Sequence, residues 1–315
     1  MDRRKFFTRM GMTALGLPLI STAFGEEFLN TGVTSVAGVT GKIIVVGGGM
    51  AGTTAAKFLR LWGGTGIDVT LVEPNATYYS NIFSNLILTG ERTLSQLSYN
   101  YSTLISKYGV KVQPYAVNNI DPVAKKVILS NGASLTYDRL VLAPGIDFEA
   151  LNLSGTTTNQ AKIVHAWKAG SQTTSLQNQI KAMTKSDTFI LTIPPKPYRC
   201  PPGPYERACV VADYLKRTKG GGKVIILDSN SGIQAEPNNF TKAFNVTHKG
   251  LITYIPDAPV SEINADTMTV TTPKGSFKGK VINAIPTHKA GDLVVNSGLG
   301  LANAPGPNNV PNKFA

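Results

Sequence analysis

Two groups of residues in this 315-residue chain have types and spacings suited to chemistry. The first is Gly47-x-Gly49-x-x-Gly52, read together with Glu73, 21 residues further on. In such a triplet the first glycine permits a tight turn, the second lets backbone approach a pyrophosphate, and the third lets a helix close on a strand. Free N–H groups at the helix start then hold the phosphates, and Glu73 stands where a carboxylate accepts hydrogen bonds from a ribose diol. Bare triplets of this kind also occur as plain structural turns. The second group surrounds Cys200, in Tyr198-Arg199-Cys200-Pro201-Pro202-Gly203-Pro204-Tyr205-Glu206-Arg207. Cys200 precedes a predicted helix N-terminus, has Arg199 beside it, and has Arg207 one helical turn into that helix. All three favour a thiolate, the form that exchanges sulfur, while Glu206 opposes them. The competing reading is a cysteine placed in a loop by chance. Cys209 falls on the apolar face of the same predicted helix and reads as a packed, inert thiol.

The elements that must position these groups alternate strand and helix, the pattern of an α/β protein. The apolar run Lys42–Val46 feeds the glycine turn, an alanine-rich helix covers Thr53–Leu61, and a second strand ends at Glu73. This setting favours a bound dinucleotide over a structural turn. Short strands are predicted over 111–115, 125–129 and 134–137, the last two joined as a hairpin at Ser130-Asn131-Gly132, because Asn-Gly favours a primed turn. Tyr137–Ala143 reads as a strand ending in a turn at Gly145. A second unit starts near Leu151, with helices over 171–184 and 205–217 and strands over 188–193 and 223–228. Segments 253–256, 267–272 and 276–280 are expected to form a terminal meander, and 281–286 a strand returning to the first unit.

Composition narrows the function. Two cysteines and three scattered histidines argue against a disulfide-stapled scaffold or a metal cluster. The net charge is +12, yet no basic run is interleaved with aromatics, which argues against nucleic acid; the charge suits an anionic substrate or an acidic partner instead. Residues 1–25 read as an export signal: Arg3-Arg4-Lys5-Phe6-Phe7, an interrupted apolar stretch, then small residues. The paired arginines resemble a twin-arginine signal, with an ordinary secretory signal as the alternative, and either places the chain in the periplasm. Without that signal the charge is about +9, and the apolar run is too short to be a membrane span. Residues 26–40 read as a linker, and 302–315 as a disordered tail.

Two α/β units, the first with the glycine fingerprint and the turn at Gly145, resemble the flavoproteins related to disulfide reductases. Their second unit normally repeats the glycine turn to hold NAD(P)H. Here a proline-rich loop, Pro194–Pro204, follows the corresponding strand, so no NAD(P) site is expected. That loop, His165–Gly170 and the leader together resemble the flavoprotein subunit of flavocytochrome c sulfide dehydrogenases, over most of the chain up to about Leu301. The resemblance implies two Rossmann-like three-layer units: an FAD-binding domain over 41–150, a second domain over 151–280 carrying the redox cysteine, and a return segment over 281–301. It also implies that Gly47, Gly49, Gly52 and Gly145 hold FAD, that Glu73 holds its ribose, and that Cys200 accepts sulfur from sulfide. Electrons would pass through the flavin to a c-type cytochrome subunit.

The chain departs from that family at three places. Asn81 stands where covalent-flavin members carry a cysteine, so the FAD is expected to be non-covalent. The family's second redox cysteine and its closing Gly-Asp segment have no counterpart, Gly291-Asp292 being taken as coincidence. A chain lacking its C-terminal closing segment is therefore expected. The alternatives are a non-catalytic remnant or a relative of sulfide:quinone oxidoreductases.

Overall fold

The computed structural model describes residue 36 and residues 38–298; the leader, most of the linker and the tail lie outside the described residues. In the first unit, β1 (Gly41–Val46) leads through the glycine turn to α1 (Met50–Gly63) and β2 (Ile67–Val72). Next come β3 (Tyr78–Tyr79), α2 (Ser84–Leu88), β4 (Ser98–Tyr99), α3 (Ser102–Tyr108) and β5 (Lys111–Gln113). A meander of β6 (Val117–Asp121), β7 (Lys126–Leu129) and β8 (Ser134–Thr136) precedes β9 (Arg139–Leu142) and β10 (Ile146–Phe148). The parallel sheet has the order β5-β2-β1-β9. One face packs Val45, Val69 and Leu71 against Ala56, Leu104 and Tyr108 of the helices. The other packs Ile44, Val46 and Val72 against Ile120, Val127 and Leu129 of the meander. α1 forms because small residues face the sheet, with Gly52 and Ala56 buried, and it stops at Gly64, whose φ of 65° lies in the left-handed region.

The second unit repeats this plan. β11 (Leu153–Ser154), α4 (Thr157–Gln160) and α5 (Ser171–Lys181) precede β12 (Thr188–Ile193), α6 (Gly203–Lys219) and β13 (Lys223–Asp228). After α7 (Pro237–Lys242) come β14 (Ile252–Ile255), the strands β15 (Glu262–Asn264), β16 (Thr269–Thr272) and β17 (Gly275–Lys278), then β18 (Val281–Ala284). Its parallel sheet has the order β14-β13-β12-β18, the same winding as the first. Phe189, Ile190, Leu191 and Ile193 of β12 are wholly buried, each contributing about 1.5–3 kcal/mol. An apolar run buried on both faces is what the centre of a parallel sheet requires. α6 carries Pro204 and Glu206 in its first turn and Lys216, Arg217 and Lys219 in its last, as the helix dipole favours.

Several expectations need correction. Residues 253–256 are not part of a meander: β14 pairs in parallel with β13 and completes the central sheet. Nor does 281–286 return to the first unit, because β18 pairs in parallel with β12. The return is made later by β19 (His288–Ala290), antiparallel to β10, and by α8 (Asp292–Asn296). All-apolar Val281-Ile282 reads alike for either sheet, and only the register, Ile190 opposite Ile282, decides.

Candidate active site

In both units the winding reverses between the first and fourth parallel strands in chain order, and a sheet wound this way places a crevice beyond their carboxyl ends. At the first, between β1 and β9, Gly47 has a φ of 100°, and a side chain there would meet the Ala143 carbonyl oxygen at 2.2 Å. At Gly52 a Cβ would come within 1.8 Å of the Gly47 carbonyl oxygen, so helix and turn close only on glycine. Gly49 differs: its nearest neighbour would be Tyr78, at 3.8 Å, so the space before the helix start is open. The Gly48 N–H donates to Glu73 Oε2 at 2.7 Å. Glu73 Oε1 accepts from the Asn75 backbone N–H at 2.9 Å and from its side-chain amide at 2.7 Å. An ionised carboxylate has about four lone-pair sites, so acceptor capacity remains for a diol.

These residues line a cleft of about 1280 Å³ that runs past Gly145 to Lys168, Arg199 and Cys200. Its size suits a large ligand, since ligand pockets run to about 1,000 Å³. A turn closed on glycine, an open helix start, an acid at the second strand's end and a long cleft together fit an FAD-sized dinucleotide. Gly145, with a φ of 76°, sits in the wall with no crowding at its missing Cβ. Gly291 is close by, since a Cβ there would lie 3.5 Å from the Gly145 carbonyl oxygen.

The second crevice, after β12, is where the proline loop runs. Cys200 is exposed, with a φ of 60°. Arg199, before it, is held at both backbone groups: its N–H donates to His288 Nδ1 at 2.8 Å, and its carbonyl accepts from Trp167 Nε1–H at 3.2 Å. The Arg199 guanidinium also bonds the Trp167 carbonyl. Behind them Arg207 is buried, giving Nε–H to Asn85 Oδ1 at 2.9 Å and Nη1–H to the His165 carbonyl and Asn283 Oδ1, each at 2.8 Å. Burial pulls its pKa down, and the charges of Glu206 and Cys200 pull it back up. His165 and His288 are pushed down to about 4, by burial first and then by neighbouring cations, so both are neutral at pH 7. Cys209 packs against the second unit's core, where burial and then Glu206 push its thiol up to about 11. It is correspondingly inert near neutral pH.

The structure thus brings Gly47, Gly49, Glu73, Gly145 and Cys200 to one cleft and puts Gly52 just behind it. Two participants escaped the sequence, Tyr101 and Lys168, and Asn81 has a structural part beyond the one read there. Tyr101 donates to the Gly48 carbonyl at 3.1 Å, its hydroxyl pushed up to about 12 by burial and then by Glu73. Lys168 lines the cleft, and Asn81 Oδ1 accepts the Ala169 N–H at 2.8 Å, tying the two units together. Gly48 was legible within the glycine run; Tyr101 and Lys168 carry no local signal. Among the described residues no cluster could hold a metal ion, and no helix is long and apolar enough to cross a membrane.

Residues 41–184 match the pyridine nucleotide-disulphide oxidoreductase family model, and residues 173–286 that of the central part of the sulfide dehydrogenase [flavocytochrome c] flavoprotein chain. A sulfide dehydrogenase [flavocytochrome c] flavoprotein chain of Chlorobaculum thiosulfatiphilum is 44% identical over 48 residues, 15% of this chain and 98% of that sequence. The mitochondrial sulfide:quinone oxidoreductase of Dictyostelium discoideum is 25% identical over 199 residues, 60% of this chain but only 42% of the enzyme's length. Among solved structures, the sulfide:quinone oxidoreductase of Aquifex aeolicus has a TM-score of 0.70 at 19% identity, covering 83% of this chain and 62% of that one. The chain therefore spans less than two thirds of either oxidoreductase.

Proposed function

The chain belongs to the FAD-dependent pyridine nucleotide-disulfide oxidoreductase family, and from that premise we propose that it is the flavin chain of a sulfide dehydrogenase. One observation carries this reading: a fixed, exposed cysteine opens on the same cleft as the dinucleotide turn. Gly47, Gly49, Gly52 and Gly145 would cradle FAD and Glu73 would hold its ribose, with Asn81 leaving the flavin untethered. When bound, FAD accepts two electrons and can pass them on singly. Cys200 acts as sulfur acceptor. Its thiolate and hydrosulfide join through a new S–S bond as a persulfide, releasing one proton and two electrons. Arg199 would attract the hydrosulfide anion at this end of the cleft, where Lys168 is paired with Asp147 at 3.6 Å.

The second unit holds no nicotinamide cofactor on this reading. Asp228 ends β13 as Glu73 follows β2, yet it is wholly buried. Its carboxylate accepts from Tyr205 at 2.8 Å, Tyr254 at 2.9 Å and the Asn230 N–H at 2.9 Å. The protein's own side chains take the bonds a ribose would make. Electrons would then leave to a c-type cytochrome subunit in the periplasm, a place supported by the Arg3-Arg4 leader. The likeness to sulfide:quinone oxidoreductases supports a quinone acceptor as the second reading.

Anaerobic sulfide titration of the FAD-loaded protein tests the proposal. Bleaching of the flavin band by sulfide is expected, with loss of that bleaching but not of FAD in Cys200→Ser, since a hydroxyl neither ionises near pH 7 nor forms a persulfide. Equal bleaching by the serine variant would refute it. Reoxidation by cytochrome c or by a soluble quinone separates the two acceptors. Acid precipitation should leave all flavin in the supernatant, and colour in the pellet would contradict an untethered cofactor.

A further inference from the structure

Gly203 is the first residue of the 17-residue helix α6 and is buried. Its backbone is helical, a conformation open to any L-residue, and glycine is a weak helix former. Space explains it. A Cβ at 203 would lie 2.9 Å from Cys200 Sγ on one side and 2.9 Å from Trp167 Cη2 on the other, with Cζ2 at 3.3 Å. The volume of an alanine methyl is already shared by a sulfur atom and an indole edge.

That indole cannot easily give way. Its N–H is held by the Arg199 carbonyl, the Arg207 guanidinium lies 4.6 Å from its ring centroid, and the Trp167 backbone N–H donates to His165 Nδ1 at 2.9 Å. The chain on the sulfur's side is fixed as well. The Gly203 N–H donates to the Cys200 carbonyl at 2.9 Å, closing the turn between them. The cysteine itself sits in the left-handed region, which few non-glycine residues adopt unless their surroundings impose it.

We infer that Gly203 and Trp167 form the seat of the Cys200 sulfur, which makes Gly203 a positioning residue for the chemistry assigned to that thiol. The inference rests on the reading of Cys200 as the sulfur acceptor. With no side chain at 203, the sulfur lies directly against the first residue of a long helix, where the dipole favours negative charge. The indole edge bars its retreat, so the side chain keeps one orientation at the cleft. An alanine at 203 displaces the sulfur from this seat while leaving the helix intact.

The test compares Gly203→Ala, Trp167→Phe and the double variant with the parent protein, and uses Gly232→Ala as a control because a Cβ there would meet nothing within 4 Å. The readout is the rate at which iodoacetamide alkylates Cys200 at pH 7, followed on its own peptide so that Cys209 does not contribute, alongside FAD content and thermal midpoint. Gly203→Ala is expected to slow alkylation about tenfold, with FAD content and midpoint close to the parent's, because a helix N-terminus acts on a charge within its first turn. Trp167→Phe removes the Cη2 side of the seat and should slow it about threefold; this variant carries the test if Gly203→Ala does not fold. The double variant should not regain the parent rate, since the sulfur contact persists without the indole. A parent-like rate in Gly203→Ala, or full recovery in the double variant, overturns the seat. Failure of the underlying reading shows elsewhere, as sulfide bleaching that survives Cys200→Ser while the alkylation differences remain.

Discussion

At the scale of the residue, the glycines of the first turn do different work. Gly52 is demanded by the fold, because its missing Cβ is occupied by the Gly47 carbonyl oxygen at 1.8 Å. Gly49 is demanded only by what approaches it, its nearest neighbour being 3.8 Å away. Gly49→Ala should therefore fold normally and lose FAD, whereas Gly52→Val should lose both FAD and stability. Circular dichroism with flavin absorbance separates the cases, and full FAD content in Gly49→Ala would remove the turn from the binding site. The histidines make a second prediction. His288 is fully buried, and Nδ1 accepts the Arg199 N–H, so the neutral ring carries its proton on Nε2. With His165 and His288 near 4 in the fold and about 6.5 unfolded, the unfolded chain takes up protons first as pH falls. The stabilisation is complete above about pH 6.5 and is lost on the way down to 4. His288→Gln keeps an acceptor for Arg199 without titrating, so its urea midpoint should vary less over that range; a slope equal to the parent's would rule this out.

Among the elements, α2 is the one whose role the sequence did not announce. Its Asn85 reaches across to the second unit, donating to the Gly203 carbonyl at 3.2 Å and to Glu206 at 3.0 Å while accepting from Arg207. A short helix of the first unit thus fixes the start of α6, and with it the thiol loop. Asn85→Leu leaves the Arg207 Nε–H buried without that acceptor and should cost about 1–3 kcal/mol in urea unfolding. A change under about 0.5 kcal/mol would mean that water or a rotated guanidinium takes over the bond. The loop after β12 makes the opposite point. Its prolines were legible, and they remove the N–H groups that a pyrophosphate nest needs. NADH should not reduce the flavin in stopped-flow mixing, and rapid bleaching would overturn that reading of the second crevice.

For the whole molecule, the two units share one winding, and the glycine turn after β1 and the cysteine of the loop after β12 line one cleft. The strands of 188–193 and 223–228 were readable to the residue because a parallel strand buried on both faces leaves a continuous apolar run between loop residues. The glycine turn and its acid were readable because they act within one local βαβ unit, where spacing along the chain equals geometry in space. Sheet membership was not. β14 and β18 were assigned elsewhere because hydrogen-bond partners far apart in sequence leave no mark on either strand. Nor could the sequence foretell that Arg207 would be buried between Asn85, Asn283 and two carbonyls, since a charged residue in a helix's first turn normally reads as solvated. Residue types and local spacing determined which chemistry is available and joined the glycine turn to its acid; tertiary packing alone decided that the cysteine meets them, because only the closed fold brings loops 153 positions apart, at Gly47 and Cys200, onto one cleft.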